Sequence, residues 1–464
     1  MKEPNELGLS LSGGGYRAAA FHLGTLKKLK ELGILEKTEV LSTISGGSIT
    51  GAAWLLSEED YNNFHARFKK NLETKNVIKY VLTRFRFLIA AVPIFIGLAG
   101  CIILSFTSFS YISFPLFGIV LFLIFRFQYH LLPLSKLIEK AYDRFFYNGA
   151  DLTSIKKNVK MVIGSSNLHT GKPFTFSKDK MGDSYYNSEK IKFTTKGFPI
   201  SRAVAASSCV PFAFSPVFID DQFIIPNDEP SKSEMLKDTQ KCVESNNTSE
   251  NSVAKTTPYK AKPQLIDGGV YDNQGIHKLT ESKSSFCCSH IIVSDAGGSF
   301  MKDLKYNNTI SLLIRTVDLF MYRIKAFQMR KNIYWNVSGD ERPIAYISLG
   351  WEPEKCITGF VDNLEQGNIL PKVIDIHELD KSWLEEIDKP GKKFTCETRE
   401  KIIAKLKSNI AFDAIPKISR EDWIKTCAIG TNLTPLSKNQ TNCLIQHAES
   451  ITEIQIKLYC PMLL

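Results

Sequence analysis

Serine, aspartate and runs of glycine are the residue types in this chain whose spacing could do chemistry, and three stretches hold them. The first, LSLSGGGYR, sets Gly13, Gly14 and Gly15 directly after an apolar stretch and just ahead of Arg17. Consecutive glycines leave peptide N–H groups bare, which suits a phosphate or a developing oxyanion and equally suits a tight turn. The second, EVLSTISGGS, carries Ser45 behind an apolar stretch and in front of Gly46 and Gly47. A serine on a sharp strand-to-helix turn presents its hydroxyl as a nucleophile, and such an elbow requires small residues two positions to either side. Gly47 fills one of those positions and Thr43 the other. Ser48 is a rival, flanked by Gly46 and Thr50, but it falls in the first helical turn, where serine bonds locally. Ser45 is preferred. The third stretch, PQLIDGGVYDNQG, places Asp267 ahead of Gly268 and Gly269. A carboxylate there can take a proton from a serine, although Asp-Gly is also ordinary turn chemistry.

These residues need elements to position them. LGLSL reads as a strand, and AAAFHLGTLKKLKEL as an amphipathic helix, with Leu26, Leu29 and Leu32 set among lysines and Gly33 placed to end it. Residues 39–44 read as a second strand, leading into a helix that opens at the glycines after Ser45. Strand, helix, strand over this short a span is a parallel βαβ unit. Both strands then end at one edge of the sheet, which brings Gly13, Gly14 and Gly15 beside Ser45. Residues 264–266 read as a further strand ending at Asp267, expected at the same carboxyl edge. The dinucleotide alternative fits less well, because Ala18 stands where G-x-G-x-x-G needs glycine and no acidic residue closes the following strand. His22, His277 and His290 have no distinctive setting, so the pattern is serine and aspartate without histidine.

Composition bounds the rest. The 464 residues are 44% hydrophobic and 23% charged, as in a globular protein, and the net charge of +10 favours anionic partners. No zinc-finger or aromatic RNA-binding signature is present, so nucleic acid is not an expected partner. Ten scattered cysteines, with Cys287 and Cys288 adjacent, suit neither a disulfide framework nor a zinc site and point to a reducing, cytosol-facing compartment. The start MKEPNELGLS lacks the order of a cleavable signal peptide. Between Arg86 and Arg126 no residue is charged, which predicts a membrane-inserted helical hairpin over roughly 85–104 and 112–130, turning in the softer 105–115 stretch. A shallow re-entrant wedge is the alternative. Basic flanks (Lys69, Lys70, Lys75, Lys79, Arg84 and Arg86 before, Arg126, Lys136 and Lys140 after) put both ends, and the catalytic part, on the cytoplasmic face. Residues 227–262 are polar and read as a disordered surface loop.

Taken together, Gly13, Gly14, Gly15 with Arg17, Ser45 in TISGGS, and Asp267, Gly268, Gly269 resemble the patatin-like phospholipase family, which includes the catalytic domain of the cytosolic phospholipases. KMVIGSSNLHTGKPFTFS is similar to its central strand and hairpin, and SRAVAASSCVPFAFSPV to its Ala/Ser-rich helix; NLTPLSKNQTNCLIQHAESITEIQIKLY is similar to the closing helix of bacterial members. The likeness covers about residues 7–300 outside the hairpin and the polar loop. Ser12, Ala18 and Thr43 depart from the usual pattern. The resemblance implies an α/β fold, a three-layer α/β/α with a mostly parallel central sheet, interrupted by the transmembrane or re-entrant hairpin. The catalytic domain is then residues 1–80 and 131–300, the hairpin 81–130, and 301–464 a partly helical C-terminal extension. It also implies hydrolysis of a lipid acyl ester, with membrane phospholipid as substrate, Ser45 as nucleophile and Asp267 as general base. Gly13, Gly14 and Gly15 would form the oxyanion hole and Gly46 and Gly47 the elbow, while Arg17 would orient a lipid phosphate or brace the loop. No metal or cofactor is called for. An acyl hydrolase or transferase acting on neutral lipid, lysophospholipid or acyl-CoA, or an inactive lipid-binding relative, are the alternatives.

Overall fold

The structure, a computed structural model, describes residues 3–188, 191–211, 214–225, 263–297, 308–334, 342–387 and 391–464. The polar loop expected at 227–262 lies outside them. Among the described residues a nine-stranded mixed sheet forms the centre of the fold. Its strands are β1 (Asn5–Leu11), β2 (Val40–Thr43), β3 (Lys160–Asn167), β4 (Pro173–Phe176), β5 (Met181–Gly182), β6 (Val217–Phe218), β7 (Gln264–Asp267), β8 (Cys288–Asp295) and β9 (Ile344–Ser348). The main path runs β9-β8-β1-β2-β3-β4-β5, parallel from β9 to β3 and antiparallel beyond, with β7 antiparallel between β3 and β6.

Alternation along the strands feeds two apolar cores, one on each face. Leu7, Leu9 and Leu11 of β1, with Leu41, Met161, Ile163 and Ile292, enter the larger core, while Val40, Val162, Ile291 and Val293 enter the smaller. That explains the weak pattern of LGLSL: its leucines share one face, and on the other Gly8 leaves room for the Cys288 side chain. β9 comes from the C-terminal third of the chain, which therefore contributes to this sheet.

Helix α1 (Gly15–Glu31) follows β1 and ends as expected. Gly33 takes a φ of 69°, with its N–H on the Lys30 carbonyl and that of Ile34 on the Leu29 carbonyl. Helix α2 (Gly46–Leu56) follows β2. Then come α3 (Val77–Leu82), α4 (Phe85–Leu104), α5 (Ser110–Leu131), α6 (Leu134–Tyr142), α7 (Ile200–Ser207), α8 (Thr309–Met329) and α9 (Lys438–Tyr459). A Ser437/Gln440 capping box starts α9. It lies so close along α1 that a Cβ on Gly24 would meet the Ile445 Cα at 2.8 Å.

The apolar run folds into α4 and α5, close to the expected spans. The turn is shorter than expected, 105–109, because Pro115 is accommodated inside α5. By length and composition both helices could cross a membrane, and their side chains face outward: Phe95 and Phe114 are 71% and 85% exposed. The two helices are joined by a hydrogen bond from the Ser113 hydroxyl to the Cys101 carbonyl, 2.6 Å. At the root, α6 packs on α7 and on Cys209 and Ser215, with the Ser135 hydroxyl bonded to the Ser215 carbonyl and 3.5 Å from the Cys209 sulfur.

Candidate active site

The glycine run leaves β1 at the sheet edge and becomes the N-terminus of α1. Gly14 and Gly15 adopt φ values of 143° and 60°, which side-chain-bearing residues avoid. Tertiary contacts also exclude side chains there. A Cβ on Gly15 would strike the Asn432 backbone, and one on Gly13 would strike the Asn273 side chain and come within 3.2 Å of the Ser45 Cβ. Gly46 is bare for the reciprocal reason: a Cβ there would meet the Gly15 backbone at 2.8 Å or less. Gly47 lets α2 close onto the Leu11 carbonyl, and its own N–H bonds the Ser12 carbonyl at 3.0 Å. The parallel pairing of β1 with β2, Leu11 opposite Thr43, thus brings the loop against the elbow as the sequence predicts.

Ser45 sits between β2 and α2 with φ 48° and ψ −114°, a backbone conformation that costs on the order of 1–3 kcal/mol and persists only when surroundings hold it. The holding group is Ser207 at the end of α7. Its hydroxyl accepts the Ser45 N–H at 2.9 Å and donates to the Gly164 carbonyl at 2.6 Å. The rival Ser48 is fully buried and donates to the Thr43 hydroxyl at 3.1 Å, with Ser207 Oγ also 3.1 Å away. Thr43, the departure from the elbow pattern, fits because Gly51 faces it: a Cβ at 51 would lie 2.7 Å from the Thr43 methyl.

Asp267 reaches the site by a route that differs from the expected one. β7 is antiparallel to β3, so the end of β7 does not mark the carboxyl edge by direction. Instead β3 outruns β2, whose last pair is Thr43 with Ile163, and β7 takes over the same edge of β3, with Asp267 opposite Ser165. The two chains meet near Gly164, where one turns into the elbow and the other ends. The Ser45 hydroxyl lies beside the Asp267 carboxylate and favours its ionised form, and the same carboxylate accepts the Gly269 N–H at 2.7 Å. Burial outweighs both and raises the Asp267 pKa to about 7.

Of the three loop glycines, Gly13 is not a free donor: its N–H is given to the Asn273 carbonyl at 3.0 Å, which corrects its expected part in the oxyanion hole. Its role is spacing. The N–H groups of Gly14, Gly15 and Gly46 have no acceptor among the described residues, and they stand at the N-termini of α1 and α2, where helix dipoles favour negative charge. Arg17 is buried, donates to the Ile429 carbonyl at 2.8 Å and lies against Gly14. Asn432 adds a second tie from the same C-terminal segment by accepting the Tyr16 N–H at 2.9 Å. His22 is a buried spacer: Nε2–H donates to the Ser12 carbonyl, Nδ1 accepts from Ser294, both at 2.8 Å, and burial lowers its pKa to about 4. His277 packs edge-on against Tyr271, and His290 contacts Ser289. Ser207, Asn273, Ile429 and Asn432 carry no sequence signal, since each acts through a contact distant in the chain.

The chain is similar to several known proteins. The "Putative meiotic phospholipase SPO1" of Saccharomyces cerevisiae is 30% identical over 67 residues, 14% of this chain and a tenth of that relative. Human GIVD cytosolic phospholipase A2 aligns over 98% of this chain and 59% of its own at 13% identity, with a TM-score of 0.45. VipD from Legionella pneumophila aligns over 98% and 92% at 12% identity, with a TM-score of 0.30. The family model for patatin-like phospholipases matches residues 9–280, more than half of the chain and all three motif stretches, and this protein belongs to that family.

Proposed function

We propose that the protein is a membrane-anchored lipid acyl hydrolase of the phospholipase A type that works through Ser45 and Asp267. The observation that carries this reading is the strained Ser45 elbow facing a buried carboxylate, with unclaimed N–H groups alongside. Ionised Asp267 takes the hydroxyl proton as Ser45 Oγ attacks the ester carbonyl. The N–H groups of Gly14, Gly15 and Gly46 hold the oxyanion. Collapse breaks the ester bond, and the alkoxide of the lysolipid leaves with the proton from Asp267. Water then gives a proton to Asp267 as it attacks the acyl-enzyme, and the bond to Ser45 breaks as Asp267 returns that proton to the serine oxygen, which releases the fatty acid and restores both side chains. Arg17, tied to Ile429 and packed on Gly14, braces the loop.

Membrane anchoring is supported by α4 and α5 and by their root. Ser135, just past the hairpin, packs on Cys209, whose carbonyl accepts the Asp267 N–H at 2.8 Å. Residues 1–80 and 131–300, together with the C-terminal third that adds β9 to the sheet and Ile429 and Asn432 to the glycine loop, then form the catalytic domain on the cytoplasmic side. A fluorophosphonate probe and a labelled phospholipid vesicle test the chemistry together. Wild type and Ser48→Ala should be labelled, and Ser45→Ala should be neither labelled nor active. Full activity in Ser45→Ala would sink the mechanism.

A further inference from the structure

Helix α8 has its polarity inside out. Residues 321, 325 and 328 share one face by helical spacing, and that face meets the ends of β7 and β8. The Met321 methyl lies 3.0 Å from where a Cβ on Gly269 would stand. Lys325 pairs with buried Asp295, which also accepts the Tyr346 hydroxyl at 2.7 Å. The Gln328 side chain lies beside Asp272 and favours its ionised form. On other faces Leu312, Leu319, Phe320 and Phe327 are 54%, 49%, 56% and 58% exposed, with Arg323 exposed among them and Arg330 exposed just past the end of the helix. A helix in water hides its apolar side chains and shows its polar ones. An exposed row of leucine and phenylalanine marks a contact surface.

We infer that α8 is a second lipid-contacting element. It lies in the plane of an anionic phospholipid surface and, through Met321, Lys325 and Gln328, holds the Ser45–Asp267 end of the sheet against it. The choice of lipid over a protein partner rests on charge. Exposed arginines among large apolar side chains match phosphates above an acyl boundary, with the long arginine stems reaching up to the head groups. The inference rests on the acyl hydrolase reading only in naming the substrate surface. It is independent of the hairpin, because α8 is pinned at the site and not at the root formed by α3 and α6.

Full-length protein reconstituted with its hairpin in phosphatidylcholine vesicles, with and without phosphatidylserine, and in neutral detergent provides the test. Hydrogen exchange across 309–329 should slow on the anionic vesicles relative to detergent. Phe320→Glu with Phe327→Glu should abolish that protection and cut vesicle-lipid hydrolysis about tenfold, with hydrolysis of a short soluble ester unchanged. Arg323→Gln with Arg330→Gln should lose protection only where phosphatidylserine is present. Equal exchange in vesicles and detergent overturns the inference. So does protection that follows protein concentration instead of lipid, which would assign the face to a second copy, and so does a parallel loss on both substrates. If wild type hydrolyses neither substrate, the acyl hydrolase reading fails while the exchange data still decide the docking.

Discussion

In the proposed mechanism Asp267 must be ionised to take the serine proton, yet its burial favours the neutral acid, so its raised pKa of about 7 bears on both activity and stability. Hydrolysis of a soluble ester should therefore rise with pH, with an inflection near about 7. A flat profile between about pH 5.5 and 8 would exclude this residue as the base. Stability should run the other way. An unfolded aspartate releases its proton near about 3.9, and the native one holds it to about 7, so the native state binds more protons across that window. Stability falls as pH climbs through it, by up to about 4 kcal/mol at ~1.36 kcal/mol per unit. Denaturation at pH 5 and pH 8, on the wild type and on Asp267→Asn, should show that slope in the first and lose it in the second. Ser45 offers an independent check. Its φ of 48° is relieved by glycine but not by alanine, so Ser45→Gly should gain about 1–2 kcal/mol over Ser45→Ala, with both inactive. Both residues of the proposed dyad stand out in the sequence because each follows a short apolar strand and precedes glycines. Ser207, which holds the Ser45 N–H from 162 residues away, was not.

At the scale of elements, the parallel β1–α1–β2 unit followed from spacing alone, since short crossovers leave little topological choice. The direction of β7 did not, because a four-residue strand carries no mark of its orientation, and only pairing with the overhang of β3 sets it. The elbow shows a similar dependence on a partner. Thr43 is tolerated where small residues are usual because α2 presents Gly51 to its methyl group. Gly51→Ala should cost about 1–3 kcal/mol by overpacking, although alanine is the better helix former by about 1 kcal/mol. In a Thr43→Ser background, which keeps the hydroxyl that Ser48 uses and removes the methyl, the same change should become neutral or stabilising. Urea midpoints of the four proteins give the coupling, and additive effects would mean that the methyl and the glycine do not compete.

For the whole molecule, the question is how a catalytic body built from residues distant in the chain tolerates a hairpin of two apolar helices. The body closes without it: β2 and β3 pair directly across the inserted stretch, and α9 with the segment around Ile429 and Asn432 seals the glycine loop from the C-terminal side. The role of that C-terminal segment was not legible, because it acts through backbone carbonyls, which no side-chain pattern announces. The helices before and after the hairpin, α3 and α6, pack against each other, so a short polar linker can rejoin them. Deleting 87–125 should therefore leave a folded protein with near wild-type hydrolysis of a short soluble ester, while membrane sedimentation is lost and vesicle-lipid hydrolysis falls steeply. Loss of both activities to the same extent would mean that the hairpin supports the catalytic fold itself. Unchanged vesicle activity would mean that the body reaches lipid by another surface, and α8 is the face that would then have to supply it.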